Sequence, residues 1–165
     1  MGAQFSQQIA VLLILALSGG VAETAALAAS AHPLSSGECA DIEVDAADPW
    51  NRSGIMLEQG AVYNFQVKSV DEPWVDDTIS SKPDRGWTTW HRFVFWPLRF
   101  LARYPSRNWY TLIGAIGEER EHFFYIGVTA RHTATVTGEF MSFANDKADK
   151  YHNNHGRLTL RVCRE

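Results

Sequence analysis

Short stretches in which apolar and polar residues alternate, separated by turn residues, most constrain the fold of this chain. Leu158, Leu160 and Val162 would face one side of a strand, and the residues between them would face the other. This two-residue period is typical of a strand with one buried face. Similar patterns predict six strands, at residues 60–67, 110–116, 123–128, 132–137, 138–143 and 157–162. Because no long helical pattern separates them, we expect an all-β fold, a β-sandwich.

The first 31 residues have the pattern of a cleavable signal peptide. The uninterrupted apolar run at residues 10–17 is followed by small residues up to Ala29-Ser30-Ala31, the order that signal peptidase reads. Residues 26–28 form a competing cleavage site. A retained anchor is the alternative, but the apolar run is shorter than the ~20 residues that span a bilayer. We therefore expect removal of residues 1–31 and one exported domain over residues 32–165, secreted or periplasmic.

The two cysteines lie near opposite ends of the mature chain. Cys39 and Cys163 have no histidine or second cysteine at metal-ligand spacing. An even number of cysteines in an oxidising compartment favours pairing. We expect a Cys39–Cys163 disulfide that closes nearly the whole mature chain, with two buried free thiols as the alternative.

Charge and motifs exclude several classes of function. A formal net charge of −4 argues against a general nucleic-acid-binding surface. The sequence contains no nucleophile elbow, no HExxH zinc site and no phosphate-binding loop. Asp76, Asp77 and Asp84 could form a pair of catalytic carboxylates, but metal ligands or a solvated loop explain them more simply. We therefore expect a protein that is not an enzyme.

Residues 87–110 interrupt the strand pattern with many aromatic residues and several arginines. Pro97 could open a short helix, which would place Trp96, Phe100 and Tyr104 on one face. Two interpretations remain open. The segment could form a platform that binds headgroups or sugar rings, or it could fold its aromatic side chains onto the sandwich. Its arginines exclude a membrane span.

Residues 143–156 form a loop rich in oxygen donors between two predicted strands. Calcium favours six to eight oxygen ligands, which Asp146, Asn153 and Asn154 can supply in part. Two histidines three residues apart, with no thiolate nearby, do not resemble a zinc site. The alternative is an ordinary polar hairpin with Asn and Gly turn residues.

The loop also resembles a known family. The pattern N-D-x(4)-Y-x-N-N-x-G, which begins at Asn145 and ends at Gly156, is similar to the calcium loop of the galactophilic bacterial lectins of the PA-I type. Those lectins are small jelly-roll β-sandwiches of the galactose-binding-like class. The resemblance implies the same fold here, with the aromatic-rich segment as a partly helical insertion.

The resemblance also implies a set of calcium ligands. Asp146, Asn153 and Asn154 would bind Ca²⁺ through their side chains, and Lys150 would contribute only its backbone carbonyl. A further backbone carbonyl would come from Asp77, which follows Trp74 at the corresponding distance.

A second stretch of the family pattern departs at two positions. The family binds the sugar partly through P-D-x-G, with a histidine before it and a glutamine inside it. Here the sequence is Lys82-Pro83-Asp84-Arg85-Gly86, so Lys82, Asp84 and Arg85 are the expected ligand-binding residues. A lysine and an arginine favour an acidic sugar or another anionic ligand.

The sequence therefore predicts an exported, calcium-dependent carbohydrate-binding protein in which sugar hydroxyls complete the coordination of a loop-bound Ca²⁺. The alternative is a structural module. In that case Ca²⁺ would only stabilise the loop, and the aromatic segment would mediate contacts with a protein or a membrane surface.

Overall fold

The computed structural model describes residues 30–165, and strands make up most of its regular structure. Its thirteen strands are β1 (His32–Pro33), β2 (Cys39–Asp45), β3 (Asn51–Leu57), β4 (Val62–Val70), β5 (Val75–Asp76), β6 (Ile79–Lys82), β7 (Gly86–Trp87), β8 (Leu112–Ile116), β9 (Phe123–Tyr125), β10 (Thr129–Thr133), β11 (Gly138–Ala144), β12 (Asn154–His155) and β13 (Arg157–Arg164). One α-helix, α1 (His91–Val94), and three 3-10 helices complete it, at Trp96–Leu101, Arg120–His122 and Tyr151–Asn153. Residues 1–29 of the expected signal peptide lie outside the described part, so cleavage remains a prediction.

The strands form two large sheets and one small sheet. The strand order is β1-β3-β11-β8-β9 in the five-stranded sheet and β10-β4-β13-β2 in the four-stranded sheet. The small sheet has the order β12-β5-β6-β7. Both helices of the aromatic-rich segment, α1 and Trp96–Leu101, lie between β7 and β8. The expected all-β sandwich with a short, partly helical insertion is therefore confirmed.

The main core lies between the two large sheets. The Phe65 ring of the four-stranded sheet packs against Phe124 and Phe140 of the opposite side, with ring centroids 5.2 Å and 4.9 Å away. Leu158 and Leu160 are fully buried, while the residues that alternate with them are exposed or half-buried. The two-residue period of β13 therefore marks its core face, as the sequence predicts.

A second apolar cluster covers the outer face of the five-stranded sheet. Ile113 and Ala115 of β8 belong to it, and Trp50 and Tyr104 pack against it from outside the sheet. Since both faces of β8 are covered, all five of its residues are buried. This explains why the strand has a continuous apolar sequence instead of an alternating one.

Seven of the thirteen strands are not among the six that the sequence predicts, and one predicted strand is displaced. Five of the seven are only two to four residues long, and the other two are β2 and β3. β2 alternates apolar and acidic residues, and the acidic residues are poor strand formers. β3 contains Gly54 at φ 69°, near a shift in its register with β11, so its pattern is interrupted by a bulge. The strand expected at residues 132–137 is β10, at Thr129–Thr133, because the residues that follow turn toward β11.

The antiparallel pair of β2 and β13 places the two cysteines opposite each other. Cys39 and Cys163 form a disulfide with a Cα–Cα distance of 4.0 Å, so the predicted pairing is confirmed. The bond joins residues 124 positions apart. Disulfides persist in oxidising compartments, and this bond fits an extracellular protein. No helix in residues 30–165 combines the length and the apolar composition that crossing a membrane requires.

We expect removal of the disulfide to destabilise the fold without changing it. The double substitution Cys39→Ser, Cys163→Ser should lower the free energy of unfolding by about 2–5 kcal/mol, because the unfolded chain gains conformational freedom. Denaturant unfolding followed by circular dichroism measures this change. Reduced wild-type protein is the control and should match the variant. A variant as stable as the oxidised protein would contradict the prediction.

Candidate metal centre

The candidate loop, residues 145–156, carries the chain from β11 in the five-stranded sheet to β13 in the four-stranded sheet. Its C-terminal part forms β12, which pairs antiparallel with β5 and places Asn154 opposite Asp76. The N–H group of Asp77 donates to the carbonyl of Asn153 at 2.9 Å. The loop is therefore held against the small sheet, and this contact brings Asp76 and Asp77 beside Asn153 and Asn154.

Asn145 fixes the start of the loop to the aromatic-rich segment. Its side chain is fully buried. Its Nδ2 group donates to the carbonyls of Tyr104 and Asn108, each at 3.0 Å, and its Oδ1 accepts the N–H of Tyr104 at 2.9 Å. The first asparagine of the motif is therefore a structural residue that joins two otherwise irregular segments.

Tyr151 fixes the middle of the loop to the outer face of the five-stranded sheet. Its hydroxyl donates to the carbonyl of Ala144 at 2.6 Å and accepts a hydrogen bond from Nη1 of Arg103 at 2.9 Å. The Arg103 guanidinium lies 3.9 Å from the Trp50 ring centroid and 3.6 Å from that of Phe143. Tyr151 thus anchors the loop to the sheet, beside the buried Arg103 and the aromatic rings that surround it.

Gly156 ends the loop in a conformation that requires glycine. Its φ is 120°, and a Cβ atom at this position would collide with the backbone carbonyl of Pro73. Any larger residue would push the loop away from the segment that leads into β5. The last glycine of the motif therefore sets how closely Asn154 approaches Asp76.

Three buried side-chain oxygens of the loop have no hydrogen-bond partner. They are Oδ2 of Asp146, Oδ1 of Asn153 and Oδ1 of Asn154. The amide nitrogens are satisfied, because Asn153 donates to Oδ1 of Asp76 at 3.2 Å and Asn154 donates to a backbone carbonyl at 3.3 Å. An unsatisfied buried polar group costs about 1–3 kcal/mol, so these three oxygens require partners from outside the protein, either water or a cation.

The cluster also concentrates negative charge. Burial and, after it, the nearby charge of Asp146 raise the pKa of Asp76 to about 6. Burial also raises the pKa of Asp146, with the N–H of the next residue and the Asn154 amide acting in the opposite direction. Within residues 30–165, no salt bridge neutralises either carboxylate. The pair therefore favours a bound cation or a proton.

Asp76 is a member of this cluster that the expected ligand set does not contain. Its Oδ2 accepts a hydrogen bond from Nε1 of Trp87 at 2.8 Å, and its Oδ1 accepts one from Asn153. It therefore orients Asn153 and adds charge beside the free oxygens. The sequence signal was its position next to Asp77, but the strand pairing that turns its side chain toward the loop is not visible in the sequence.

The two residues expected to contribute backbone carbonyls, Asp77 and Lys150, both form backbone hydrogen bonds with Asn153. Asp77 adopts φ 52° and is exposed, and its N–H holds Asn153. Lys150 is also exposed, and its carbonyl accepts the N–H of Asn153 at 3.3 Å. The backbone of Asp77 is thus hydrogen-bonded to the loop, and Lys150 is itself a residue of the loop.

The expected ligand-binding residues lie in the turn between β6 and β7. Lys82 and Asp84 line a cavity of about 380 Å³, with Trp74 as part of its wall. Arg85 is exposed and forms an ion pair with Asp84 at 3.1 Å. None of the three hydrogen-bonds to the oxygen cluster within the described residues.

The kinds of oxygen ligand in the cluster limit which cations could bind there. No group of three or more His, Cys, Asp or Glu side chains in residues 30–165 is positioned to hold a metal ion. A cation at this loop would depend on amide and backbone oxygens as well as carboxylates, which are the ligands of hard cations such as Ca²⁺. The residues present therefore fit calcium better than zinc.

Comparison with known proteins shows the fold but no family. No protein-family model matches the chain, and no curated protein matches it. Among solved structures, the chain is similar to one described as "EclA N-terminal domain; PllA-like lectin". The TM-score is 0.52 at 19% sequence identity, over 76% of this chain and 95% of that chain. At this identity the similarity shows a shared β-sandwich fold.

Asn145→Ala should destabilise the protein strongly, because it leaves several buried backbone groups without partners. We expect a loss of about 2–4 kcal/mol in the free energy of unfolding, measured by denaturant titration. Asn108→Ala is the matched control, because Asn108 is exposed, and it should change stability by no more than ~0.5 kcal/mol. Equal effects of the two substitutions would show that Asn145 does not have this structural role.

Proposed function

We propose that this protein is an exported, lectin-like carbohydrate-binding protein whose ligand site is built on a Ca²⁺ ion held by residues 145–156. The observation that carries the proposal is the group of three buried oxygens without hydrogen-bond partners, on Asp146, Asn153 and Asn154. Each asparagine directs its amide nitrogen to a protein acceptor and leaves its oxygen free. All three free atoms are acceptors, so this arrangement suits a cation and does not suit an anion.

The charge of the cluster supports the same proposal. Asp76 and Asp146 are both buried and lie close enough for the charge of one to raise the pKa of the other. A divalent cation would compensate both carboxylates at once. Asp76 already accepts hydrogen bonds on both of its oxygens. We therefore propose that it does not bind the ion directly, and that it orients Asn153 and adds negative charge.

The coordination number supports a role for an external ligand. Side-chain oxygens of Asp146, Asn153 and Asn154 with backbone carbonyls of Asp77 and Lys150 would provide five protein oxygens. Calcium takes six to eight. The remaining positions would be open to vicinal hydroxyls of a sugar, which are oxygen ligands of the same kind.

The fold and the neighbouring turn suggest the class of sugar. A solved structure that shares the fold is described as a PllA-like lectin. Lys82 is exposed beside the cavity of about 380 Å³, and Arg85 is exposed in the same turn. Exposed cationic side chains favour a carboxylated or otherwise acidic saccharide over a neutral one.

Calcium should raise the melting temperature of the mature protein, because a ligand that binds only the folded state stabilises it by mass action. At a calcium concentration of 100 times Kd the expected stabilisation is about 2.7 kcal/mol. Differential scanning fluorimetry with calcium and with a chelator measures this effect. Asp146→Asn should abolish most of it.

Asp149→Asn is the matched control for this experiment. Asp149 lies in the same loop and carries the same charge, but its side chain is 63% exposed. Its substitution should leave the response to calcium nearly unchanged. An absence of any calcium-dependent shift in the wild type would reject the calcium site, and an equal loss in both variants would indicate only a general charge effect.

Glycan binding should depend on calcium. On an array of neutral and acidic glycans, we expect binding by the wild type that disappears with chelator and returns with calcium. Asp146→Asn should not bind. The double substitution Lys82→Gln, Arg85→Gln should weaken binding to acidic glycans by at least about tenfold, since the loss of even one charged hydrogen bond costs about 1.5–3 kcal/mol.

The outcomes separate the proposed function from a structural calcium site. Stabilisation by calcium without binding to any glycan would support a structural site. Binding to glycans that persists in chelator would contradict coordination of the sugar by Ca²⁺. Arg52→Gln, a substitution of an exposed arginine on β3, controls for the loss of positive charge.

A further inference from the structure

An exposed aromatic surface lies between β7 and β8, outside the proposed calcium site. We define the aromatic platform as Trp90, Phe93, Trp96 and Phe100, together with Arg92 and Arg99. The four rings are 63%, 71%, 52% and 63% exposed. Seven of the nine large apolar side chains exposed in residues 30–165 lie between residues 90 and 101. Apolar exposure concentrated in one segment is typical of an interaction surface.

Packed aromatic rings on the inner side of the segment support the platform. Trp87 and Trp109 stack with their ring centroids 5.5 Å apart and their planes 8° from parallel. Phe95 packs edge-on against Trp87 at 5.8 Å, and its carbonyl accepts a hydrogen bond from Nε1 of Trp109 at 3.2 Å. The inward side of the segment is therefore occupied by these three rings. The outward rings stay more than half exposed, although Trp90 stacks on His91 at 4.2 Å.

Gly86 allows this support to form. Its φ is 70°, and a Cβ atom there would collide with the carbonyl of Trp109. The chain can therefore bring Trp87 against Trp109 only with glycine before it. The N–H of Trp87 also donates to the carbonyl of Trp109 at 3.3 Å, so the two ends of the segment are joined.

The positive charge of the segment favours an anionic partner. Residues 85–117 contain five arginines and no aspartate or glutamate, in a chain whose formal net charge is −4. Within the described residues, neither Arg92 nor Arg99 forms a salt bridge. Their guanidinium groups lie over Phe93 at 4.7 Å and over Trp96 at 4.5 Å. Apolar rings and unpaired positive charge thus share one surface.

We infer that the aromatic platform binds the surface of an anionic lipid bilayer. Tryptophan and phenylalanine insert at the boundary between headgroups and acyl chains, and arginines beside them pair with lipid phosphates. A groove of about 410 Å³ lined by Arg92, Phe93, Trp96 and Asn108 offers space for a headgroup phosphate next to the inserted rings. The surface is separate from the calcium site and requires neither calcium nor a sugar.

Vesicle sedimentation in the presence of chelator tests this inference. The wild type should bind vesicles of phosphatidylcholine mixed with phosphatidylglycerol and should bind much less to phosphatidylcholine alone. Binding should weaken as salt is raised. Arg92→Gln, Arg99→Gln should weaken partitioning to the anionic vesicles by about tenfold or more. Phe93→Ser, Phe100→Ser should weaken it similarly through lost apolar insertion.

Matched controls separate this surface from general effects. Val70→Ser, Val128→Ser removes exposed apolar side chains elsewhere, and Arg52→Gln, Arg157→Gln removes exposed arginines elsewhere. Both double variants should bind vesicles like the wild type. Asp146→Asn should also retain binding, which distinguishes a failure of the bilayer inference from a failure of the calcium proposal.

Three outcomes would overturn the inference. They are wild-type protein that does not sediment with anionic vesicles, equal binding to neutral and anionic vesicles, and platform variants that bind like the wild type. Light scattering after gel filtration tests self-association. The wild type could fail to bind vesicles and be a dimer that Phe93→Ser, Phe100→Ser converts to a monomer. In that case the aromatic platform is an interface between two copies of the chain.

Discussion

The burial of two carboxylates side by side is the constraint on which the functional end of this molecule depends. Asp76 and Asp146 come from different parts of the chain and are almost completely enclosed. Protein groups satisfy Asp76 through Trp87 and Asn153 but leave one oxygen of Asp146 without a partner. The surrounding architecture keeps this arrangement in place. Without that support, the loop would move to expose its charges to water.

The fold could be predicted largely from the sequence because most of its core strands bury one face. Alternation in β4 and β13 identified the correct core residues, as Tyr63, Phe65 and Leu158 show. β2 was missed because its polar positions are acidic, and β3 because a bulge at Gly54 breaks its pattern. Alternation reports burial on one face, and it cannot report an irregular backbone.

The candidate site was predictable only in part. The spacing in the loop pointed to Asp146, Asn153 and Asn154, each of which has a buried side-chain oxygen without a hydrogen-bond partner. Asp76 joins them through pairing between β5 and β12, two strands of two residues each, which leave almost no trace in sequence. The aromatic-rich segment was equally ambiguous. Its residues divide between a buried support, Trp87 and Trp109, and an exposed surface, and residue type alone cannot distinguish the two.

The cross-link between β2 and β13 has a consequence for resistance to proteolysis. Nearly every exposed loop, including the aromatic-rich segment, lies between Cys39 and Cys163. A protease that cuts one of these loops would therefore produce two fragments that remain covalently attached. Because the strands on either side stay paired in the same sheets, the fragments can reassociate as an intramolecular event at high effective concentration. A single cut would therefore break the chain without separating its parts, so the fold would tolerate one proteolytic cut until a reductant is also present.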